Sequence, residues 1–106
     1  MTNNNLKFKS IDRSHKGTVS FQITNEMINK YVELTGDKSV IHVDKVIAQE
    51  AGFKDRVMHG GLLIGLYSKI IGTILPGDSG LILELKSKFN NPIYPGDKIT
   101  INYSVV

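Results

Sequence analysis

No cysteine occurs in the 106 residues, which rules out a disulfide framework and any zinc site built on thiolates. The same lack leaves the redox compartment open. Charge of one sign is nowhere concentrated. Thirteen Lys and Arg against ten Asp and Glu give a formal net charge of +3 and a pI near 9.2, but no basic run is present that would track a phosphate backbone. Nucleic acid is therefore not expected as a partner, whereas a small phosphorylated ligand would suit the modest excess equally well. There is no glycine loop followed by lysine for a nucleotide phosphate, and no serine elbow of the hydrolase kind. Three histidines without a helical pair or a matching carboxylate set make a poor metal site. No apolar stretch reaches the roughly 20 residues of a membrane span. The greasiest run, Leu62 to Leu75, is interrupted by Ser68, Lys69 and Thr73 before Pro76-Gly77-Asp78 ends it. Met1-Thr2-Asn3-Asn4-Asn5 is polar and lacks the apolar centre of a signal peptide, so the expected location is the cytoplasm.

What is present suits one small globular domain over residues 1–106, with 1–15 as polar tail and lead-in: 41% of residues are apolar and 22% charged. In Gly17–Ile23 the apolar residues Val19, Phe21 and Ile23 alternate with polar ones, the mark of a half-buried strand. Thr24 or Asn25 can cap the next helix, whose apolar positions Met27, Ile28, Tyr31, Val32 and Leu34 fall at helical spacing before Gly36 stops it. Asp44 can cap a short helix running through Ala51 to Gly52. From Gly60 a long apolar helix is predicted, greasy around most of its circumference and therefore central. Leu81, Leu83, Leu85 and Phe89 alternate with Glu84, Lys86 and Lys88 as a second strand. After the turn signal Pro95-Gly96-Asp97, a last strand carries Ile99, Ile101, Tyr103 and Val105. The order predicts an α+β fold, an antiparallel sheet on one buried helix.

Two segments carry chemistry. Asp37 lies just past a helix C-terminus, where the dipole disfavours negative charge, so its pKa is expected to be raised. His42 follows on the loop, with Asp44 or a backbone carbonyl able to orient the imidazole. Together they supply a general acid/base pair. In His59-Gly60-Gly61 the glycines open the long helix, where N–H groups without internal partners would face a developing negative charge; tight backbone approach is the simpler use of glycine there. Ser68 reads as a buried hydroxyl inside the greasy helix. Lys54 and Arg56 read either as solvated surface charge or as contacts for a carrier's phosphates.

These residues resemble the MaoC-like dehydratases, which include R-specific enoyl-CoA hydratases. The resemblance rests on Gly36-Asp37-Lys38-Ser39-Val40-Ile41-His42-Val43-Asp44, then Phe53, His59-Gly60-Gly61 and Ser68. Leu75-Pro76-Gly77 and Asn91-Pro92-Ile93-Tyr94-Pro95-Gly96-Asp97 continue it, so that it spans about residues 17 to 105. It implies a hot-dog fold, a curved antiparallel sheet wrapped round a long helix, usually in homodimers. It also implies that Asp37 and His42 activate a water for addition to a trans-2-enoyl thioester, or run the reverse dehydration. The Gly60 N–H would hold the thioester oxygen, Ser68 would orient the pair, and His59 and Gly61 would contact substrate, with Lys54 and Arg56, close to His59, as the candidates for the carrier's phosphates. No metal or redox cofactor is implied, coenzyme A or an acyl-carrier protein being part of the substrate. The alternatives are a non-catalytic acyl-thioester-binding or assembly subunit and, on the same fold, a thioesterase.

Two departures stand out. Ser39-Val40 replaces the family's usual Asn-Pro, removing a rigid proline between Asp37 and His42. The family's domain also normally continues for two strands past the position of Val106, so a truncated sheet is expected, with an open edge. The 106-residue chain is accordingly expected to be poorly stable or to associate through its last strand; a monomer in sedimentation that melts cooperatively would contradict this.

Overall fold

The elements follow in the order β1 (Lys16–Gln22), α1 (Asn25–Thr35), α2 (Val40–Val43), α3 (Lys45–Glu50), α4 (Gly60–Thr73) and β2 (Lys98–Ser104) in the computed structural model, which describes residues 11–77 and 80–106. The polar start Met1–Asn5 and Asp78 of the predicted turn lie outside the described residues. β1 and β2 form a two-stranded sheet. Val105 N–H donates to the His15 carbonyl at 3.1 Å, Thr18 Oγ1 to Asn102 Oδ1 at 2.9 Å, and Ile23 N–H to the Asp97 carbonyl at 2.8 Å. Partners thus run backwards along β2 as β1 advances, and the pair is antiparallel. Both strands alternate half-buried and exposed positions, as the sequence pattern predicts.

The described residues divide into two compact units. One comprises residues 20–63 and 88–99 and contains α1, α2 and α3. Its core is Ile23, Ile28, Ala48, Val57 and Met58, with His59 as a buried polar member. α1 begins where Thr24 accepts from Met27 N–H through its hydroxyl at 3.1 Å, satisfying a donor that has no partner in the helix. It ends at Gly36, whose φ of 74° only glycine adopts cheaply and whose N–H closes on the Val32 carbonyl at 2.7 Å. Asp44 caps α3 by accepting from Ile47 N–H at 3.0 Å. Tyr94-Pro95-Gly96-Asp97 is a type II turn, with Gly96 at φ 95° and Asp97 N–H on the Tyr94 carbonyl at 3.1 Å.

The other unit holds residues 11–19, 64–77, 80–87 and 100–106, including most of α4. Ile70 is the buried residue of that helix. The Tyr103 ring lies where a side chain on Gly17 would project, so the smallest residue faces one of the largest across the sheet. No helix among the described residues is long and apolar enough to cross a membrane.

Three local expectations need correction. Residues 81–89 alternate as predicted but form no strand: alternation gives a segment two faces, whereas a strand exists only where a neighbour completes its hydrogen bonds. Leu81, Leu83, Leu85 and Phe89 are all exposed. Leu34, placed on the apolar face of α1, is 82% exposed on the last turn. His42 sits on a single helical turn, α2, rather than on an open loop.

Replacing Gly36 by Ala forces a Cβ into the left-handed region, although nothing lies within 4 Å to obstruct it. The cost is backbone strain alone, about 1 kcal/mol. A lowered midpoint in urea unfolding with an unchanged slope is the expected result.

Candidate active site

The left-handed exit from α1 turns the chain so that Asp37 and Ser39 close on each other. Asp37 Oδ1 accepts from Ser39 N–H at 3.2 Å and from Ser39 Oγ at 2.9 Å, a turn in which the side chain mimics a backbone carbonyl. Ser39 occupies the N-cap position of α2 but makes no side-chain cap. The turn is closed instead by His42 N–H on the Ser39 carbonyl at 2.8 Å and Asp44 N–H on Val40 at 2.9 Å.

His42 Nδ1 lies 2.6 Å from the Val57 carbonyl. A carbonyl only accepts, so Nδ1 carries the proton and Nε2 keeps its lone pair. Val57 in turn donates its N–H to the Ile41 carbonyl at 2.9 Å. The expected orienting group is thus the backbone carbonyl; Asp44 is engaged in capping α3.

His59 is 2% exposed and stacks on His42, with centroids 3.9 Å apart and planes 25° from parallel. Its Nε2 lies 3.0 Å from the Asp37 carbonyl and donates to it, while Nδ1 is buried without a partner among the described residues. The Tyr31 ring lies against the same imidazole, with centroids 4.6 Å apart and planes tilted by 47°. One atom each from Asp37, His42 and His59 fall within 4.8 Å of one another. Three such residues suggest a metal cluster, but stacked rings do not aim their in-plane lone pairs at a common point, as a tetrahedral site requires.

The Asp37 carboxyl departs from expectation in direction. Its pKa is lowered, not raised, first by the Ser39 hydroxyl, then by the Ser39 N–H; a smaller desolvation opposes them, and still weaker attraction from His59 and His42 adds to the lowering. The dipole argument fails because two donors at bonding distance act on an exposed carboxylate more strongly than the partial charge of a helix end.

The His59 carbonyl accepts from Leu62 N–H at 3.1 Å and Leu63 N–H at 3.4 Å, so His59 caps α4 and the N–H groups of Gly60 and Gly61 precede its first internal bond. The Phe89 ring lies 3.2 Å from where a Gly60 Cβ would stand, and the Tyr31 hydroxyl occupies the place of a Gly61 Cβ. A side chain at Gly61 would force the Tyr31 hydroxyl to move, and one at Gly60 would press on the exposed Phe89 ring, which would have to give by a few tenths of an ångström. His42, Phe53, Met58, His59, Gly60 and Phe89 help to line a cavity of about 390 Å³. Exposed Asp37 is not among the lining residues, but its carboxylate is within 4.8 Å of histidines that are.

Of the residues singled out from sequence, Asp37, His42, His59, Gly60 and Gly61 come together. Ser68 belongs to the other unit and is exposed, not buried. Lys54 is exposed, with its ammonium 5.8 Å from the Tyr94 ring centroid. Arg56 directs its guanidinium at the His42 carbonyl, Asn25 and Asn29. Sequence reasoning missed the roles of Tyr31, which its helical spacing assigned to the core, of Asn25, which read as a candidate helix cap, and of Asn29, which looks like any solvated side chain.

Ser39→Ala removes the largest cause of the Asp37 shift, so the carboxyl should titrate closer to 3.8, the ordinary value. Because the folded-state pKa is depressed, the associated stability is present above the unfolded pKa and is lost as pH falls through the folded one. A pH titration of the carboxyl carbon by NMR, in wild type and variant, reads the displacement directly; an unmoved curve contradicts the assignment.

The family model described as "MaoC like domain" matches residues 7–106. A 3-hydroxybutyryl-CoA dehydratase from Methylorubrum extorquens is 31% identical over 72 residues, covering 68% of this chain but only 46% of the relative. An (R)-specific enoyl-CoA hydratase from Rhodospirillum rubrum is 31% identical over 98 residues, covering 92% of this chain and 68% of the relative. Among solved structures, the (R)-hydratase of A. caviae involved in PHA biosynthesis superposes with a TM-score of 0.84 at 26% identity, over 91% of this chain and 73% of that one. The chain matches less than half the length of the first of these relatives. With the family model covering nearly every residue and the paired histidines and glycines in one place, the chain belongs to the MaoC-like domain family and carries its hot-dog fold.

Proposed function

We propose that this protein hydrates trans-2-enoyl-CoA to (3R)-hydroxyacyl-CoA, or runs the reverse dehydration, with Asp37 and His42 as the acid/base pair. The observation that carries the reading is the spacing of Asp37 and His42 in one cluster within 4.8 Å. No direct hydrogen bond joins the two side chains, and a water bridges such a gap with two bonds of ordinary length.

The lowered pKa keeps Asp37 ionised as an acceptor that holds the water. The lone pair on His42 Nε2 takes a proton as the water oxygen bonds to C3 of the enoyl group. The displaced π electrons move onto the thioester oxygen, where the Gly60 N–H stabilises the enolate. The imidazolium then delivers its proton to C2, so that one water is added and the imidazole returns to its starting form. Dehydration is the same path reversed. This reading uses no metal or redox cofactor, takes a coenzyme A or acyl-carrier thioester, and has the protein act as a homodimer in the cytoplasm.

Loss of absorbance of crotonyl-CoA on hydration tests it. Asp37→Asn and His42→Gln are each expected to lower kcat by about 10²- to 10⁴-fold. Turnover that survives both substitutions removes the mechanism. Crotonyl-CoA that binds unchanged favours the non-catalytic thioester-binding subunit, and free thiol favours a thioesterase.

A further inference from the structure

A helix of four residues cannot satisfy its own carbonyls. In α2, which ends at Val43, the His42 carbonyl has no donor from its own helix. Arg56 fills that place, with Nε donating at 2.8 Å. The other two nitrogens of the fork reach α1: one donates to Asn25 Oδ1 at 3.1 Å and the other to Asn29 Oδ1 at 2.7 Å. Asn25 and Asn29 are one turn apart on the helix whose C-terminus leads into Asp37. No carboxylate forms a salt bridge with this guanidinium among the described residues. All three of its nitrogens serve neutral oxygens, an arrangement that fixes geometry rather than neutralising charge. The next residue, Val57, supplies the carbonyl that holds the His42 ring.

We propose that Arg56 is a positioning residue for His42, a role that deepens the hydratase reading of this site and replaces a contact with the carrier's phosphates. Arg56 clamps the main chain of His42 to α1 while Val57 clamps its ring, so backbone and imidazole are fixed from the same two-residue segment. The clamp supplies the rigidity that Val40, standing where the family usually has proline, does not. Lysine keeps the charge but has no planar fork to reach three acceptors at once, so Arg56→Lys is expected to behave as a loss.

The test uses Arg56→Lys and the double variant Asn25→Ala/Asn29→Ala, which leaves Arg56 and its bond to His42 in place but removes the far anchors. Two quantities are read in each: the ¹⁵N signals of the His42 ring, which report its tautomer and the bond to Val57 without any substrate, and the kcat and KM for crotonyl-CoA. The proposal expects both variants to melt as the wild type does, to shift or broaden the His42 signals, and to lose about ten- to a hundredfold in kcat with KM changed little. Unaltered ring signals in both variants overturn it, and so does a rise in KM at constant kcat, which would mark Arg56 as a substrate contact. Should Arg56→Lys fail to fold, the asparagine variant decides alone by the same criteria. If wild type turns over no enoyl thioester yet the ring signals respond as expected, the hydratase reading fails while the clamp stands.

Discussion

The site depends on one short hydrogen bond, from the His42 imidazole to the carbonyl of Val57. It decides which ring nitrogen holds the proton, and therefore which holds the lone pair. It also ties the turn after α1 to the segment leading into α4, fifteen residues further on. Met58 N–H donates to the Ile93 carbonyl at 2.7 Å, so that segment is itself anchored by the stretch preceding the Pro95-Gly96 turn. Val57 and Met58 are buried, which keeps the carbonyl in a setting where competing water is scarce. A basic nitrogen at a defined place thus follows from a backbone carbonyl at a defined place, and that carbonyl follows from core packing.

A second imidazole joins the two halves of the arrangement. His59 donates to the main chain of Asp37 and lays its ring on His42, while its own carbonyl caps α4. Asp37, His42 and the start of α4 are therefore linked through one buried residue. Tyr31 backs the ring and also fills the space beside Gly61, so a side chain at Gly61 would displace the tyrosine and loosen its support of His59. The glycines serve two ends at once: they leave the first N–H groups of the helix reachable, and they admit the aromatic residues that hold the site.

Much of this was legible in the sequence where a side chain speaks for itself. Thr24, Gly36 and Asp44 cap helices for reasons local to each, and all three fall where propensity puts them. The alternation in β1 and β2 marks their half-buried faces. Residues 81–89 show the same alternation and form no strand, because pairing depends on a neighbour that local pattern does not encode. The site was legible in its residues but not in its partners. His42 is oriented by a carbonyl and Asp37 holds its neighbour through another, and a backbone group has no residue type to recognise. The sign of the Asp37 shift failed for a related reason: the helix end was visible, but the hydroxyl of Ser39 folding back on the carboxylate was not.

Ser39-Val40 shows how a turn is held without proline. A proline at the first position of α2 would set φ in advance and leave no unsatisfied N–H. Here the order comes from two bonds between Ser39 and Asp37 Oδ1, and the serine gives up its usual capping bond to make them. Each of these is an exposed bond, and exposed hydrogen bonds exchange readily with water. They can bias the turn, but they do not lock it as a ring closure would. The remaining constraint on His42 therefore has to come from outside the turn, from less exposed groups: the Val57 carbonyl on its ring and the half-buried Arg56 on its main chain. A chain that exchanges a covalent constraint for hydrogen bonds keeps its loop geometry only while those outside contacts are intact, so the tolerance of this loop to substitution is set by residues 56 and 57 as much as by its own sequence.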